Sequence, residues 1–427
     1  MERDKPKVVK LTLKFGRGAL EAELADDNFG GWLLPNSPEA GQAPEELVRE
    51  AMESPVGSKK LSEMLKPSDK VAIVTSDITR PCPSAVLLPP VLSEITKAGL
   101  PDEQVVIVLA LGIHRGHTKE EAERLVGSEV YKRYRVVDHD PLRCRLLGTT
   151  KRGTPIDVFE EVAAADKRIA LGNVEYHYFA GYSGGVKAIL PGVSSHEAIR
   201  NNHSMMVRDN ARAGVLSGNP VREDLEELTD HLSVDFILNV VLGEDKKIRA
   251  AFAGHHRGAH RKACEALDSM FQAKVPEPGA DVVLVSAGGF PKDINVYQAQ
   301  KALDNAAKAV RPGGVIIWVG ACEEGFGESV FERWLTEAAS PKDLIDRVKA
   351  DFELGGHKAA AIALVLERCE VLMVSRLPES EAAKLFVRPF GDLQSALAAA
   401  LEKAGPGSKV LVMPYGGSTL PGLVPAA

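Results

Sequence analysis

The feature that most restricts how this chain can fold is a series of short apolar runs, rich in β-branched residues, that recur with helical segments between them. They fall at 70–75, 104–111, 167–171, 281–286, 315–320, 370–374 and 409–413. Many lack any alternation of apolar with polar residues, as strands buried on both faces should, so the pattern predicts an α/β fold with mostly parallel sheets. Between the first two runs, Val86, Leu87, Val91 and Ile95 keep helical spacing over 84–98 until Gly99-Leu100-Pro101 stops it. That segment reads as the helix of a right-handed βαβ unit. Thr118 and Glu121 have the spacing of a reciprocal capping box, and Ser194-Ser195-His196-Glu197 offers another.

At 427 residues the chain is longer than one core usually sustains, and two domains are expected. The stretch 271–280, FQAKVPEPGA, carries two prolines and a glycine and reads as a linker. It would separate an N-terminal, histidine-rich α/β domain at 1–270 from a plainer α/β domain at 281–427. An active-site cleft between the two is the expectation. The sequence shows no internal repeat and no low-complexity segment.

Several function classes are disfavoured by charge and composition. The formal charge of −7 comes with no basic run, so the electrostatic footprint of a nucleic-acid binder is missing. The charged opening at 1–7 and the alternating Val8, Val9, Leu11 and Leu13 do not resemble a signal peptide, and no segment reaches the roughly 18 consecutive apolar residues of a membrane span. A soluble, cytoplasmic protein is expected. The five cysteines, Cys82, Cys144, Cys264, Cys322 and Cys369, are scattered with no CxxC pair, which suits a reducing compartment and argues against a thiolate zinc site.

Chemistry is expected where open parallel sheets place ligands, at the carboxyl ends of strands. After 70–75 comes Ser76-Asp77-Ile78-Thr79-Arg80-Pro81, whose Arg80 fork suits a carboxylate or phosphate. Asp77 as a helix cap, with Arg80 either at the surface or paired with Asp77, reads equally well. After 104–111, Gly112-Ile113-His114-Arg115-Gly116-His117 brings two histidines, with His114 nearer the strand end. After 167–171, the segment 175–206 contains His177, then Gly181, Gly184 and Gly185 ahead of Lys187. Such glycines suit a loop that approaches something closely and offers its N–H groups to phosphates, or simply a tight turn. It is not a P-loop, because Ala188 follows the lysine. His196 and His203, seven residues apart, share a helical face. In the second part, Gly288-Gly289-Phe290-Pro291-Lys292-Asp293 leads to Tyr297, Gln298 and Lys301, the last two on one side of a helix.

Taken together, S-D-x-T-R-P at 76–81, G-x-H-R at 112–115, H-x-F/Y-A-G-x-S-G-G-x-K at 177–187, N-H-S at 202–204 and Y-Q-x-x-K-A-L at 297–303 resemble the nickel-dependent lactate racemase family. The likeness runs in order over about 70–308. It implies that Lys187 anchors a nickel pincer nucleotide (pyridinium-3-thioamide-5-thiocarboxylic acid mononucleotide) and that His203 binds the nickel. The remaining ligands, a carbon and a pair of sulfurs, would come with the cofactor, which fits the preference of late transition metals for soft donors. His114 and His177 would be the acid/base pair. Arg80, Gln298 and Lys301 would hold the substrate, and Tyr297 would line the pocket. Asp77, Thr79, Gly184 and Gly185 would serve the cofactor, and cofactor-making enzymes would act as donors. No role is implied for His117 or His196, and the oligomeric state stays open.

The chemistry agrees with that allocation. The α hydrogen of a 2-hydroxy acid, beside a carboxylate, is a poor acid. Its removal as hydride while a base takes the hydroxyl proton gives a neutral ketone, which requires a hydride acceptor such as a pyridinium. Return of the hydride to the other face needs a second base, and imidazole suits both. The run Glu353-Leu354-Gly355-Gly356-His357-Lys358-Ala359 departs from the tryptophan-bearing stretch expected of lactate-specific members. His357 or Lys358 could meet the second carboxylate of an acid such as malate, or could sit in a helical turn facing solvent. Other readings are an epimerase of a larger sugar acid and a noncatalytic carrier of the nickel cofactor, which would need Lys187 and His203 but no paired bases. A nucleotide-dependent dehydrogenase would need a G-x-G-x-x-G after a strand, and none occurs.

Overall fold

The computed structural model describes residues 7–34, 42–208, 210–243, 245–350, 352–353 and 355–424. The opening residues 1–6 and Leu354 therefore lie outside the described residues. The chain divides into two compact units, Ser37–Met270 on one side, and Met1–Asn36 with Phe271–Ala427 on the other.

In the Ser37–Met270 unit a six-stranded sheet runs Ile248–Gly254, Phe236–Leu242, Lys167–Asn173, Val71–Ser76, Val105–Ala110, Arg135–Asp138. All neighbours are parallel except the Ile248–Gly254 and Phe236–Leu242 pair. Ile73, Ile107, Ile169, Leu171 and Leu238 are buried in one apolar cluster with Leu87, Val91 and Ile95 of helix Ser84–Lys97, and the intervening Ala72, Val74, Val108 and Ala170 are buried on the opposite face, which explains the unalternating runs. In chain order the strands sit 6-5-4-1-2-3, so the winding reverses at Val71–Ser76, flanked by the second and fourth strands. That reversal opens a crevice at the carboxyl edge, where ligands of such sheets bind.

Helix Lys119–Val126 carries the expected capping box, with Glu121 N donating to Thr118 Oγ1 at 3.2 Å and Thr118 N donating to Glu121 Oε2 at 2.9 Å. At helix His196–Ser204 the cap is Ser195, which accepts from Ala198 N at 3.3 Å. Ser194 lies one residue before that cap and turns its hydroxyl to Ile189 O, and with Ala198 at the third helical position the second box does not form.

The other unit holds a fully parallel sheet in the order Arg388–Phe390, Glu370–Val374, Val310–Val319, Ala280–Ser286, Val410–Met413, Phe29–Trp32. The structure departs here from the expected 1–270 boundary. Phe29–Trp32 is hydrogen-bonded to Val410–Met413, and the hairpin Val8–Phe15/Gly18–Ala25 buries Leu11, Leu13, Phe15 and Leu24 in the core of this unit. The expected linker at 271–280 likewise contains a strand, Gln272–Pro276, paired with Leu420–Val424. Hydrogen bonding to partners far along the chain gives both segments a structure that their own composition does not announce. Among the described residues no helix is long and apolar enough to cross a membrane.

All three tryptophans, Trp32, Trp318 and Trp334, belong to this second unit, so their fluorescence reports on it alone. Leu13 is 0% exposed, and Leu13→Ala should lower the stability read from tryptophan fluorescence in urea by about 2–5 kcal/mol. An unchanged urea midpoint would mean that the hairpin does not contribute to this core.

Candidate active site

Because Val71–Ser76, Val105–Ala110 and Lys167–Asn173 are adjacent and parallel, the loops that follow them leave the sheet along one edge. In the first loop the Asp77 side chain is 2% exposed. Its Oδ1 accepts from Thr79 N at 3.1 Å and from Thr79 Oγ1 at 2.8 Å, while Oδ2 is hydrogen-bonded to His114 Nδ1. Burial by itself would raise the Asp77 carboxyl, but the bonds from His114 and Thr79 and the nearby Arg80 together hold it below the usual carboxylate range. Asp77 therefore does not cap the following helix, whose N-terminal residue Pro83 has no side-chain cap bond. A carboxylate on Nδ1 places the proton of the neutral His114 ring there, so that in this tautomer Nε2 is the acceptor. Arg80 is exposed, with its backbone N–H on Asp77 O.

The third loop is held from behind by buried polar groups. Strand Tyr176–His177 pairs with Gly181–Tyr182. The Arg222 side chain, 0% exposed, donates from Nε to Ala180 O at 3.2 Å and from a terminal nitrogen to Tyr182 O. The Tyr176 and Tyr182 hydroxyls both donate to Asp268, and His260 Nε2 donates to Ser183 O at 2.8 Å. Gly184 and Gly185 take φ of 72° and 61°, in the left-handed region that favours glycine. A Cβ on Gly184 would stand 2.7 Å from Val174 Cγ2, and one on Gly185 would stand 2.9 Å from His260 Cδ2. The close approach is thus to the protein itself. Gly185 N–H donates to Asn239 Oδ1 at 2.8 Å, so it is not offered to a phosphate as the sequence suggested.

This frame presents His177 and Lys187. His177 Nδ1 accepts from Ala180 N at 3.2 Å, which places the proton of the neutral ring on Nε2. Burial, reinforced by Lys187, His203, Arg80 and Arg222, pushes its pKa well below the ordinary imidazole value. Burial, with Arg80 and Arg222 adding to it, lowers the Lys187 ammonium to about 7. Phe179 packs edge-on against both His177 and His203, at centroid distances of 4.5 and 4.8 Å. His203 lies in helix His196–Ser204, with Nδ1 3.2 Å from Asn202 Oδ1, whereas His196 is exposed.

In the other unit, Asn295 caps helix Val296–Ala306 by accepting from Gln298 N. Gln298 and Lys301 do point the same way, with Lys301 Nζ donating to Gln298 Oε1 at 3.3 Å. His357 and Lys358 do not face solvent. They are 5% and 6% exposed, at the start of helix Gly356–Leu366. Lys358 Nζ donates to Tyr297 O at 2.6 Å and lies 3.6 Å from the centroid of the Tyr297 ring. Burial and the neighbouring Lys301 lower its ammonium to about 7, and burial with Lys358 lowers His357 to about 4.

The lactate racemase N-terminal domain model matches residues 15–214 and the lactate racemase C-terminal domain model matches residues 275–420. The chain belongs to the lactate racemase family. Curated relatives named lactate racemase share 35% identity over 97% of this chain and 99% of the Thermoanaerobacterium thermosaccharolyticum protein, and 31% over 96% and 99% for that of Lactiplantibacillus plantarum. The solved lactate racemase apoprotein of the former organism superposes with a TM-score of 0.87 at 33% identity, covering 97% of this chain and all of that one. A Thermotoga maritima protein of known structure shares the fold, with a TM-score of 0.60 at 21% identity, over 90% of this chain and 99% of its own.

Within this lactate racemase family member, the motif residues Asp77, Thr79 and His114 meet directly, and His177, Lys187, His203 and Arg80 interact electrostatically. Reading the motifs does not reveal the groups behind them. Arg222, Asn239, His260 and Asp268 carry no spacing signal, since they come from other elements and meet the loop only in the fold. Among the described residues no cluster of three or more His, Cys, Asp or Glu could hold a metal ion.

The low pKa of Lys187 has a direct readout. A depressed value means that the amine is neutral above it, so competitive acetylation of Lys187 should level off above pH about 7, while ordinary surface lysines continue to gain reactivity towards ~10.4. In Arg80→Ala the midpoint should rise, because one positive neighbour is lost. A parent midpoint near that of the surface lysines would refute the environment described for Lys187.

Proposed function

We propose that this protein racemises a small 2-hydroxy acid, lactate-like or malate-like, in the cytoplasm, using a nickel pincer nucleotide on Lys187 with His203 as the protein's nickel ligand. Family membership supports the reaction class. The observation that carries the site is that His177 feels Lys187, His203 and Arg80 together, so the anchor, the metal ligand, a base and a carboxylate binder share one locale.

The residues present fit the cofactor. An amine with a pKa of about 7 is substantially neutral at physiological pH, and a neutral amine is the form that bonds covalently to an acyl or thioacyl carbon. His203 offers a single borderline imidazole, suited to a metal whose softer ligands arrive with the nucleotide. When bound, the cofactor supplies those ligands and a ring that accepts and returns hydride.

The protein's own part is proton transfer and orientation. Asp77 fixes the His114 tautomer and leaves a bare Nε2 to take the hydroxyl proton of one enantiomer. In the structure the Ala180 N–H engages His177 Nδ1 and the ring's proton sits on Nε2. To serve on the other face, His177 would release Ala180 N, take a proton on Nδ1 and pass the Nε2 proton of the resulting imidazolium to the substrate oxygen, which leaves the neutral ring. Arg80 would bind the substrate carboxylate, and Gln298, Lys301 and Tyr297, the last braced by Lys358, keep the substrate-binding role that the resemblance implies. Thr79 secures Asp77, and Gly184 and Gly185 let the chain turn tightly enough to present Lys187.

The test is intact mass and nickel content of protein co-produced with the cofactor-making enzymes, then incubation with single enantiomers of lactate, malate and 2-hydroxyglutarate. Added cofactor mass, nickel and one racemised acid are expected. His114→Ala and His177→Ala should each keep the added mass and lose racemisation by roughly 10²-fold or more. Lys187→Ala should lack the mass. A loaded protein inert towards all three acids would favour the carrier reading, and full activity in either histidine variant would remove the two-base assignment.

A further inference from the structure

His117 has no part in the chemistry above, yet its side chain is 2% exposed and both ring nitrogens are engaged. Nδ1 lies 2.6 Å from Asp138 Oδ1, and Nε2 lies 3.0 Å from Ile78 N. A backbone N–H can only donate, so Nε2 carries no proton and the ring's hydrogen sits on Nδ1, donated to Asp138. The other oxygen of Asp138 accepts the backbone N–H of His117 at 2.8 Å. Asp138 ends strand Arg135–Asp138, so the imidazole is fixed to the edge of the sheet.

Ile78 stands between Asp77 and Thr79, the two residues whose side chains meet His114. The loop at 112–117 therefore grips the preceding loop at three successive positions, by side chain at Asp77 and Thr79 and by backbone at Ile78. We propose that His117 is a positioning residue. Through Ile78 it locks the backbone that aims Asp77 at His114, and so sets the direction of the His114 Nε2. Its catalytic consequence rests on the acid/base role proposed for His114, whereas its hold on the loop does not.

An amide acceptor lost from a buried site releases the N–H it served. The test compares the parent, co-produced with the cofactor-making enzymes, with His117→Gln, His117→Asn and His117→Ala by hydrogen–deuterium exchange and by kcat. The terminal group of glutamine reaches the place of Nε2 and can accept from Ile78. That of asparagine reaches only the place of Nδ1 and can meet Asp138 alone. Exchange over 76–80 should rise roughly tenfold in the asparagine and alanine variants and stay within about twofold of the parent in the glutamine variant, with kcat falling in the same order. Exchange over 105–110 serves as the control for folding, and if the alanine variant fails it the glutamine and asparagine pair decides. Equal exchange in that pair, or faster exchange without a fall in kcat, overturns the proposal. A parent that loads cofactor but racemises nothing would remove the proposed function, while the exchange comparison would still decide whether His117 holds the loop.

Discussion

Much of the site in the Ser37–Met270 unit depends on one buried guanidinium. Arg222 spends two of its nitrogens on Ala180 O and Tyr182 O, on either side of the turn at Gly181, and stands 3.9 Å from Glu226. Burial lowers even this strong base to about 10, with Glu226 opposing the shift. A buried charge needs partners, and here Nε and one terminal nitrogen find main-chain carbonyls of the loop, while the other terminal nitrogen makes no hydrogen bond and has only the Glu226 carboxylate at 3.9 Å. Burial is the main cause that lowers Lys187 and His177, and the Arg222 charge adds a smaller push in the same direction on both. One residue thus fixes the loop's path and adds to the burial that favours the neutral forms of Lys187 and His177.

Around that interaction the sheet supplies location. Its winding reverses at Val71–Ser76, and the loops that follow this strand and its two neighbours carry Asp77, His114 and Lys187. In the other unit the winding reverses at Ala280–Ser286, and the helix after that strand carries Tyr297, Gln298 and Lys301. Neither placement needs an unusual fold. Parallel strands end with their carbonyls on one side, and a reversal parts the connections there, so short polar loops converge without being packed over.

The strands were legible because burial on both faces leaves unbroken runs such as VAIVTS and VVIVLA, a signal that needs no knowledge of partners. The N-terminal hairpin was misassigned for the complementary reason. Its alternating pattern predicts one buried face but not which core receives it. At the site, the motif residues could be read as a set, yet their partners could not. Asp77 was open to readings as cap, cofactor holder or Arg80 partner, and the structure gives its carboxylate to His114 and Thr79. The Gly184-Gly185 pair suggested an anion cradle, whereas the contacts are with Val174, Asn239 and His260.

By itself the sequence determined the α/β class, the helix between the first two expected strands, the capping box at Thr118 and the ordered motifs that mark the family. All of these depend on local periodicity or on residue types at fixed spacing, which survive without coordinates. Only the tertiary structure decided that His357 and Lys358 are buried, that residues 29–32 complete the second sheet, and that Arg222, His260 and Asp268 stand behind the active loop. Protonation state and tautomer followed the same division. They are set by desolvation and by hydrogen-bond partners brought from distant parts of the chain, and no spacing along the sequence encodes either.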